Sequence, residues 1–313
     1  MKLASCFYNN RVTCGIVTPE GFIDIPTATQ DNPKNRLHSV KEILIKGAGA
    51  METLQKILER PTEKIPYDNL MWLAPIPKPN KILALAGNYP QHIQETGRYK
   101  DLPNLTGKKS PIRPFMMPPT AACGHQKTIL WPLYSEEVDY EIELAVIIGK
   151  TARALSPERA KNVIAGYTIA NDISARSVTF GRKKEAGGEK DFYEWLMGKW
   201  SDDFLPLGPW MVTADEIADP QNLPMTLKVN GEVRQSASTA EMIYTVYEIV
   251  SFLSYLMTLE PGDVIATGTP HGVGAATGRY LQPGDVMECT IEGIGTLTNR
   301  MGEKPPAFYT GVR

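Results

Sequence analysis

Apolar residues fall in short runs along most of this chain, separated by polar turns. Leu3–Tyr8 and 13–17 read as opening strands. Ser39 with Glu42 three residues on has the spacing of a capping box and predicts a helix. A second helical stretch covers about 50–59 and stops at Pro61. Residues 82–86, 143–148 and 166–173 suit buried strands, and Ser156-Pro157 opens a short helix between the last two. Residues 227–234 predict a hairpin, because Asn230-Gly231 accept the positive φ of a type I′ turn. Ser238 with Glu241 predicts the cap of the longest helix, about 239–258, with Met242, Val246, Ile249, Leu253 and Leu256 on one broad face. Residues 263–266 and 286–291 are late strands, each entered through Pro-Gly-Asp.

One stretch punctuates this pattern. Residues 75–80 read Pro-Ile-Pro-Lys-Pro-Asn, a stiff connector. It predicts a small N-terminal unit over 1–75 and a larger one over 80–303, in keeping with a length of 313 residues. Glycine (26) and proline (25) exceed average usage, which favours strands and shaped loops over a helical bundle.

Charge narrows the partners. A net charge of −2 argues against nucleic acid, and the basic clusters Lys108-Lys109 and Arg182-Lys183-Lys184 are too short to track a phosphate backbone. No apolar run reaches the roughly 18 residues of a membrane span, and the N-terminal apolar stretch is too short for a signal peptide. Cys6, Cys14, Cys123 and Cys289 share no CxxC spacing, so free buried thiols in a reducing cytoplasm are expected.

Candidate chemistry begins at Asp139-Tyr-Glu141-Ile-Glu143. On a strand these three acids share one face. Burying them uncompensated would cost several kcal/mol. A divalent cation removes that penalty; a solvated acidic edge is the competing reading. Asp172 ends the next strand, and neighbouring strands would let Glu141, Glu143 and Asp172 converge on one ion. An all-carboxylate set suits Mg²⁺, Mn²⁺ or Ca²⁺ rather than Zn²⁺. His92 and Glu95 lie one helical turn apart, as a carboxylate-oriented general base would, though a surface pair has the same spacing. Thr267-Gly-Thr-Pro-His-Gly-Val-Gly274 lacks the order of a P-loop and reads as a loop bringing amides and the Thr269 hydroxyl toward a small anion, or as a plain tight turn. Lys199 stands among glycines at 187, 188 and 198.

Together, Gly87-Asn-Tyr with His92 and Glu95, residues 138–150, residues 166–176, Gly198-Lys199, Leu207-Gly-Pro209, Val229-Asn-Gly-Glu232, residues 259–270 and Gly272-Val-Gly274 resemble the fumarylacetoacetate hydrolase family, in consistent order from about 80 to 300. The resemblance implies an α+β fold, a mixed β-sandwich roll with a small N-terminal α/β cap, in a homodimer. It implies Mg²⁺ or Mn²⁺ held by Glu141, Glu143 and Asp172, with His92, Glu95 and Lys199 catalytic. Arg176, Thr269 and Tyr89 would lie on the side of a small anionic substrate. The implied activity is hydrolysis of a carbon–carbon bond in a 2,4-dioxo acid of the acylpyruvate or fumarylpyruvate type. Relatives that decarboxylate or isomerise 2-oxo diacids, hydrate 2-oxo-alkenoates or act on ureidoglycolate share the ligand set. A non-catalytic ligand-binding member is the alternative of another class. The chain departs from the family's usual motifs at Ser177 and Thr179, at Trp200, Ser201 and Asp203, and at Met117, all on the substrate side.

Overall fold

The computed structural model describes residues 1–30, 36–96, 111–178 and 192–309. The main sheet runs, strand beside strand, through Gly21–Asp24, Arg11–Thr18, Lys2–Tyr8, Leu205–Thr213, Ile164–Asn171, Ile142–Ile148, Val264–Ala266, Ile82–Leu85 and Pro114–Met117. Met71–Leu73 and Ala122–Cys123 pair off that path. A second sheet orders Glu232–Ser238, Pro224–Val229, Val286–Ile291, Gly295–Met301 and Thr128–Ile129. Parallel and antiparallel pairs mix in both, and helices pack around them, so the fold is α+β.

The Ile142–Ile148 strand is buried at every position, which explains its apolar run after Glu143. The strand alternation expected through Asp139, Glu141 and Glu143 is interrupted. Val138–Asp139 pairs with Ser174–Ala175 in a separate two-stranded sheet, and the main ladder restarts only at Ile142. Between them, side chains replace the ladder. Glu141 N–H donates to Asn171 Oδ1 at 2.9 Å and Ile142 N–H to Gln235 Oε1 at 3.0 Å.

The proline stretch is no exposed linker. Ala74, Pro75, Ile76 and Pro79 are buried, and Ser5 Oγ donates to the Pro75 carbonyl at 2.9 Å. The first strand continues the main sheet, with Lys2 opposite Val212 and Leu3 opposite Met211. Leu3, Ile16, Ile43 and Leu54 share one hydrophobic cluster with Ile142 and Ile169.

The helix expected over 239–258 divides. Ser238 and Glu241 do form a capping box, but for a single 3₁₀ turn, Thr239–Glu241. The α-helix is Val246–Leu256, opened by a second capping box of Thr245 and Glu248. Asn88 causes the break: its carbonyl accepts the Ile243 amide at 2.8 Å and its Oδ1 the Tyr244 amide at 2.9 Å, so neither serves a helix. The Ser39 box is also altered, since Glu42 accepts the amide of His38 rather than of Ser39. The hairpin turn forms with φ of 50° at Asn230 and 79° at Gly231. All four cysteines are free and buried. Among the described residues no helix is long and apolar enough to cross a membrane.

Candidate metal centre

Antiparallel pairing of Ile142 with Asn171 brings Glu141 and Glu143 beside Asp172, whose amide donates to the Glu141 carbonyl at 2.8 Å. All three side chains are buried, and each offers a carboxylate oxygen within 4.8 Å of the others. Lys199 is 2% exposed, and its Nζ donates to Glu141 Oε2 at 2.8 Å and Asp172 Oδ2 at 2.7 Å. Arg176 donates to Glu141 Oε1 and, through Nε, to Asp139 Oδ2 at 2.9 Å. Gly268 N–H donates to Glu143 Oε2 at 2.7 Å. Among the described residues, Glu143 Oε1 and Asp172 Oδ1 are buried with no hydrogen-bond partner.

These environments push the three carboxyls apart. Burial raises Glu141, but the Lys199 charge and then Arg176 outweigh it and hold this carboxyl at about 2. Burial, reinforced by Asp172 and Glu141, lifts Glu143 well above the usual range. Burial lifts Asp172 to about 6 against the opposing charge of Lys199, with Glu141 adding to the rise. With every group ionised, four carboxylates (Asp139, Glu141, Glu143, Asp172) face two described cations (Arg176, Lys199), a deficit that one divalent cation fills. The orphaned oxygens of Glu143 and Asp172 are hard donors left for such an ion.

The helix Pro90–Thr96 carries the His–Glu pair. His92 Nδ1 meets Glu95 Oε1 at 2.9 Å, and Glu95 Oε2 accepts the Gly272 amide at 2.8 Å. With Glu95 ionised, Nδ1 bears the proton and Nε2 presents its lone pair. Asn88 anchors the approach, donating to the carbonyls of Thr267 at 2.9 Å and Tyr244 at 3.1 Å. Tyr89, expected on the substrate side, is buried, and its hydroxyl donates to Met225 Sδ at 3.4 Å.

The 267–274 loop follows the Val264–Ala266 strand. Its amides hold the protein's own carboxylates: Gly268 N–H takes Glu143, Gly272 N–H takes Glu95, and Gly274 N–H takes Asp139 at 2.6 Å. Gly272 has φ of +100°, and a Cβ there would stand 2.2 Å from the Arg234 carbonyl oxygen, so only glycine fits. Thr269 is buried beside Gly268, and its Oγ1 accepts from Gln235 Nε2 at 2.9 Å.

Arg176 is buried against Asp139 and Glu141, so its described partners are the protein's own carboxylates. Asp139 is an anchor rather than a fourth converging acid, taking Arg176 and the amides of Gly274 and Ala275. Met117 is buried in Pro114–Met117, opposite Ile82. Thr179, the 187–188 glycines and the basic clusters at 108–109 and 182–184 lie outside the described residues. Sequence reasoning missed Gln235 and the anchoring role of Asn88. Gln235 turns inward opposite Leu227 only because the hairpin register shifts past Arg234, so strand alternation from exposed Val233 carried no signal for it.

A buried oxygen-donor centre on neighbouring strands of a mixed sheet, edged by a lysine and a tethered histidine, defines a divalent-metal site. The model of the fumarylacetoacetate (FAA) hydrolase C-terminal matches residues 81–302, and the chain belongs to the fumarylacetoacetate hydrolase family. It is similar to the mitochondrial oxaloacetate tautomerase FAHD2A of Bos taurus, 36% identical over 283 residues, covering 90% of this chain and 84% of the relative. Maleylpyruvate hydrolase from Sphingobium sp. SYK-6, solved with manganese(II) and pyruvate, superposes with a TM-score of 0.77 at 28% identity, over 97% of this chain and 100% of its own. A 2-hydroxyhepta-2,4-diene-1,7-dioate isomerase from Mycobacterium marinum gives 0.70 at 30% identity, over 97% and 99%.

Proposed function

We propose that this protein is a Mg²⁺- or Mn²⁺-dependent hydrolase that cuts a carbon–carbon bond in a 2,4-dioxo acid of the acylpyruvate or fumarylpyruvate type. The single observation that carries this reading is the buried Glu141–Glu143–Asp172 cluster with two orphaned oxygens beside a histidine held by a carboxylate. Glu141, Glu143 and Asp172 would hold the ion; Ca²⁺ has the same donor preference. When bound, a divalent cation supplies Lewis-acid polarisation of the substrate's neighbouring oxygens and fixes their orientation.

The chain's own groups do the rest. Lys199 holds Glu141 Oε2 and Asp172 Oδ2, which leaves Asp172 Oδ1 for the ion beside Glu143 Oε1, and its charge steadies developing negative charge on the substrate. Glu95 fixes the His92 tautomer, and His92 Nε2 takes the proton of an attacking water. Thr269 binds the carboxylate end of a small anionic substrate, with Arg176 and Tyr89 setting the walls behind Glu141 and the loop. The unit works as a homodimer in the cytoplasm.

A second reading is favoured by the Bos taurus relative, whose name is that of an oxaloacetate tautomerase. The same base would then move a proton between enol and keto forms without adding water. A panel of acylpyruvates, fumarylpyruvate and enol-oxaloacetate, each with Mn²⁺ and with chelator, separates the two. Metal-dependent release of pyruvate supports hydrolysis. Ketonisation of oxaloacetate with no cleavage of any dioxo acid overturns it in favour of the tautomerase. Light scattering tests the dimer.

A further inference from the structure

Gln235 is 1% exposed and binds two parts of the site at once. Its Oε1 accepts the Ile142 amide at 3.0 Å, on the chain segment that carries Glu141 and Glu143. An amide N–H can only donate, so this contact fixes which end of the glutamine faces which way. Nε2 therefore faces the 269–271 loop, donating to Thr269 Oγ1 at 2.9 Å, to Pro270 O at 2.9 Å and to His271 O at 3.4 Å.

The consequence falls on Thr269. Its oxygen is already an acceptor, and the nearby loop carbonyls are occupied by the same NH₂ group. Among the described residues no acceptor takes the Thr269 proton. Its neighbour Gly268 donates to Glu143, so the hydroxyl belongs to the residue next to one that holds a candidate metal ligand.

We propose that Gln235 is a positioning residue that commits the Thr269 hydroxyl to donate a hydrogen bond to the carboxylate of a chelating anionic ligand. This rests on the reading of the centre as a metal-bound 2-oxo acid site. Gln235 touches neither ion nor substrate; it sets the polarity of the group that does.

The test uses the full chain loaded with Mn²⁺ and oxalate as the probe, followed by calorimetry. Gln235→Glu keeps an acceptor for Ile142 but turns an oxygen toward Thr269, which then spends its proton inside the protein. Expected results are Mn²⁺ binding retained in every variant, and an oxalate affinity about tenfold or more weaker in Gln235→Glu and in Thr269→Val. The double variant is no weaker than Thr269→Val alone, because both remove one and the same donor. Thr269→Ser retains oxalate affinity beside Gln235 and loses it beside Gln235→Glu. Should Gln235→Glu fail to fold, Gln235→Met takes its place, since it frees the loop carbonyls to accept the Thr269 proton. Wild-type oxalate affinity in the Gln235 variants, or losses that multiply in the double variant, overturn the proposal while leaving the metal centre intact. If wild-type protein with Mn²⁺ binds no oxalate, the reading of the site fails and this assignment with it.

Discussion

Removing an oxygen donor from Glu143 and removing the imidazole of His92 have separable consequences. Glu143→Gln takes away a ligand and is expected to lose both metal and turnover. His92→Ala leaves the carboxylates in place, and turnover falls about 10²- to 10⁴-fold with metal affinity retained. Normal turnover in that variant would remove His92 from the mechanism. Protons compete with the ion at the same oxygens. Asp172 moves from the usual 3.8 to about 6 in the metal-free protein, chiefly through burial. Between those values the folded chain binds more protons than the unfolded one, so metal-free stability falls as pH rises through that window. Metal displaces the proton, so affinity rises with pH and binding at about pH 5.5 releases protons, measurable by calorimetry in buffers of different protonation enthalpy. Binding without proton release would refute the assignment of these carboxyls. Glu141, Glu143 and Asp172 could be grouped from the sequence because the first two open one apolar strand and the third follows the next, although the ladder itself begins only at Ile142. The anchoring of Asp139 was not, because it depends on Arg176 and on the amides of Gly274 and Ala275, which only the fold brings near.

At the scale of elements, the helix with His92 and the 267–274 loop act together through one hydrogen bond, Gly272 N–H to Glu95. Gly272→Ala would drive a Cβ onto the Arg234 carbonyl, and the loop must shift. A displacement near 1 Å costs about 10²-fold in kcat, while Mn²⁺ affinity holds through Gly268. Steady-state kinetics beside a metal titration checks both halves; parallel loss of both would mean that the loop supports the ligands instead. Element type was readable where a local signal stood alone, as at Asn230-Gly231. It misled at 239–258, where Thr245-Val-Tyr-Glu248 repeats the capping signature and Asn88, far off in the chain, decides which box opens the helix.

For the whole molecule, the N-terminal residues are part of the main sheet rather than an appendage. Removing residues 1–75 would strip Lys2–Tyr8 from the edge of Leu205–Thr213 and uncover Met211 and Val212. The remaining chain is expected to aggregate or to unfold at lower denaturant, by chemical denaturation and light scattering; a stable monodisperse product would show that the larger unit is self-sufficient. Proline spacing marked the connector, but its burial follows from contacts such as Ser5 with Pro75 that no local pattern announces. The cysteines carry one more consequence. Cys6 and Cys14 lie on the adjacent strands Lys2–Tyr8 and Arg11–Thr18 of the main sheet, Cys123 beside Leu205–Thr213, and Cys289 on the second sheet. Burial pushes the Cys6 thiol to about 12 and raises the other three as well. A thiol reagent therefore reaches each only when its own layer opens, and the protein carries four built-in clocks that time the loosening of its two sheets separately.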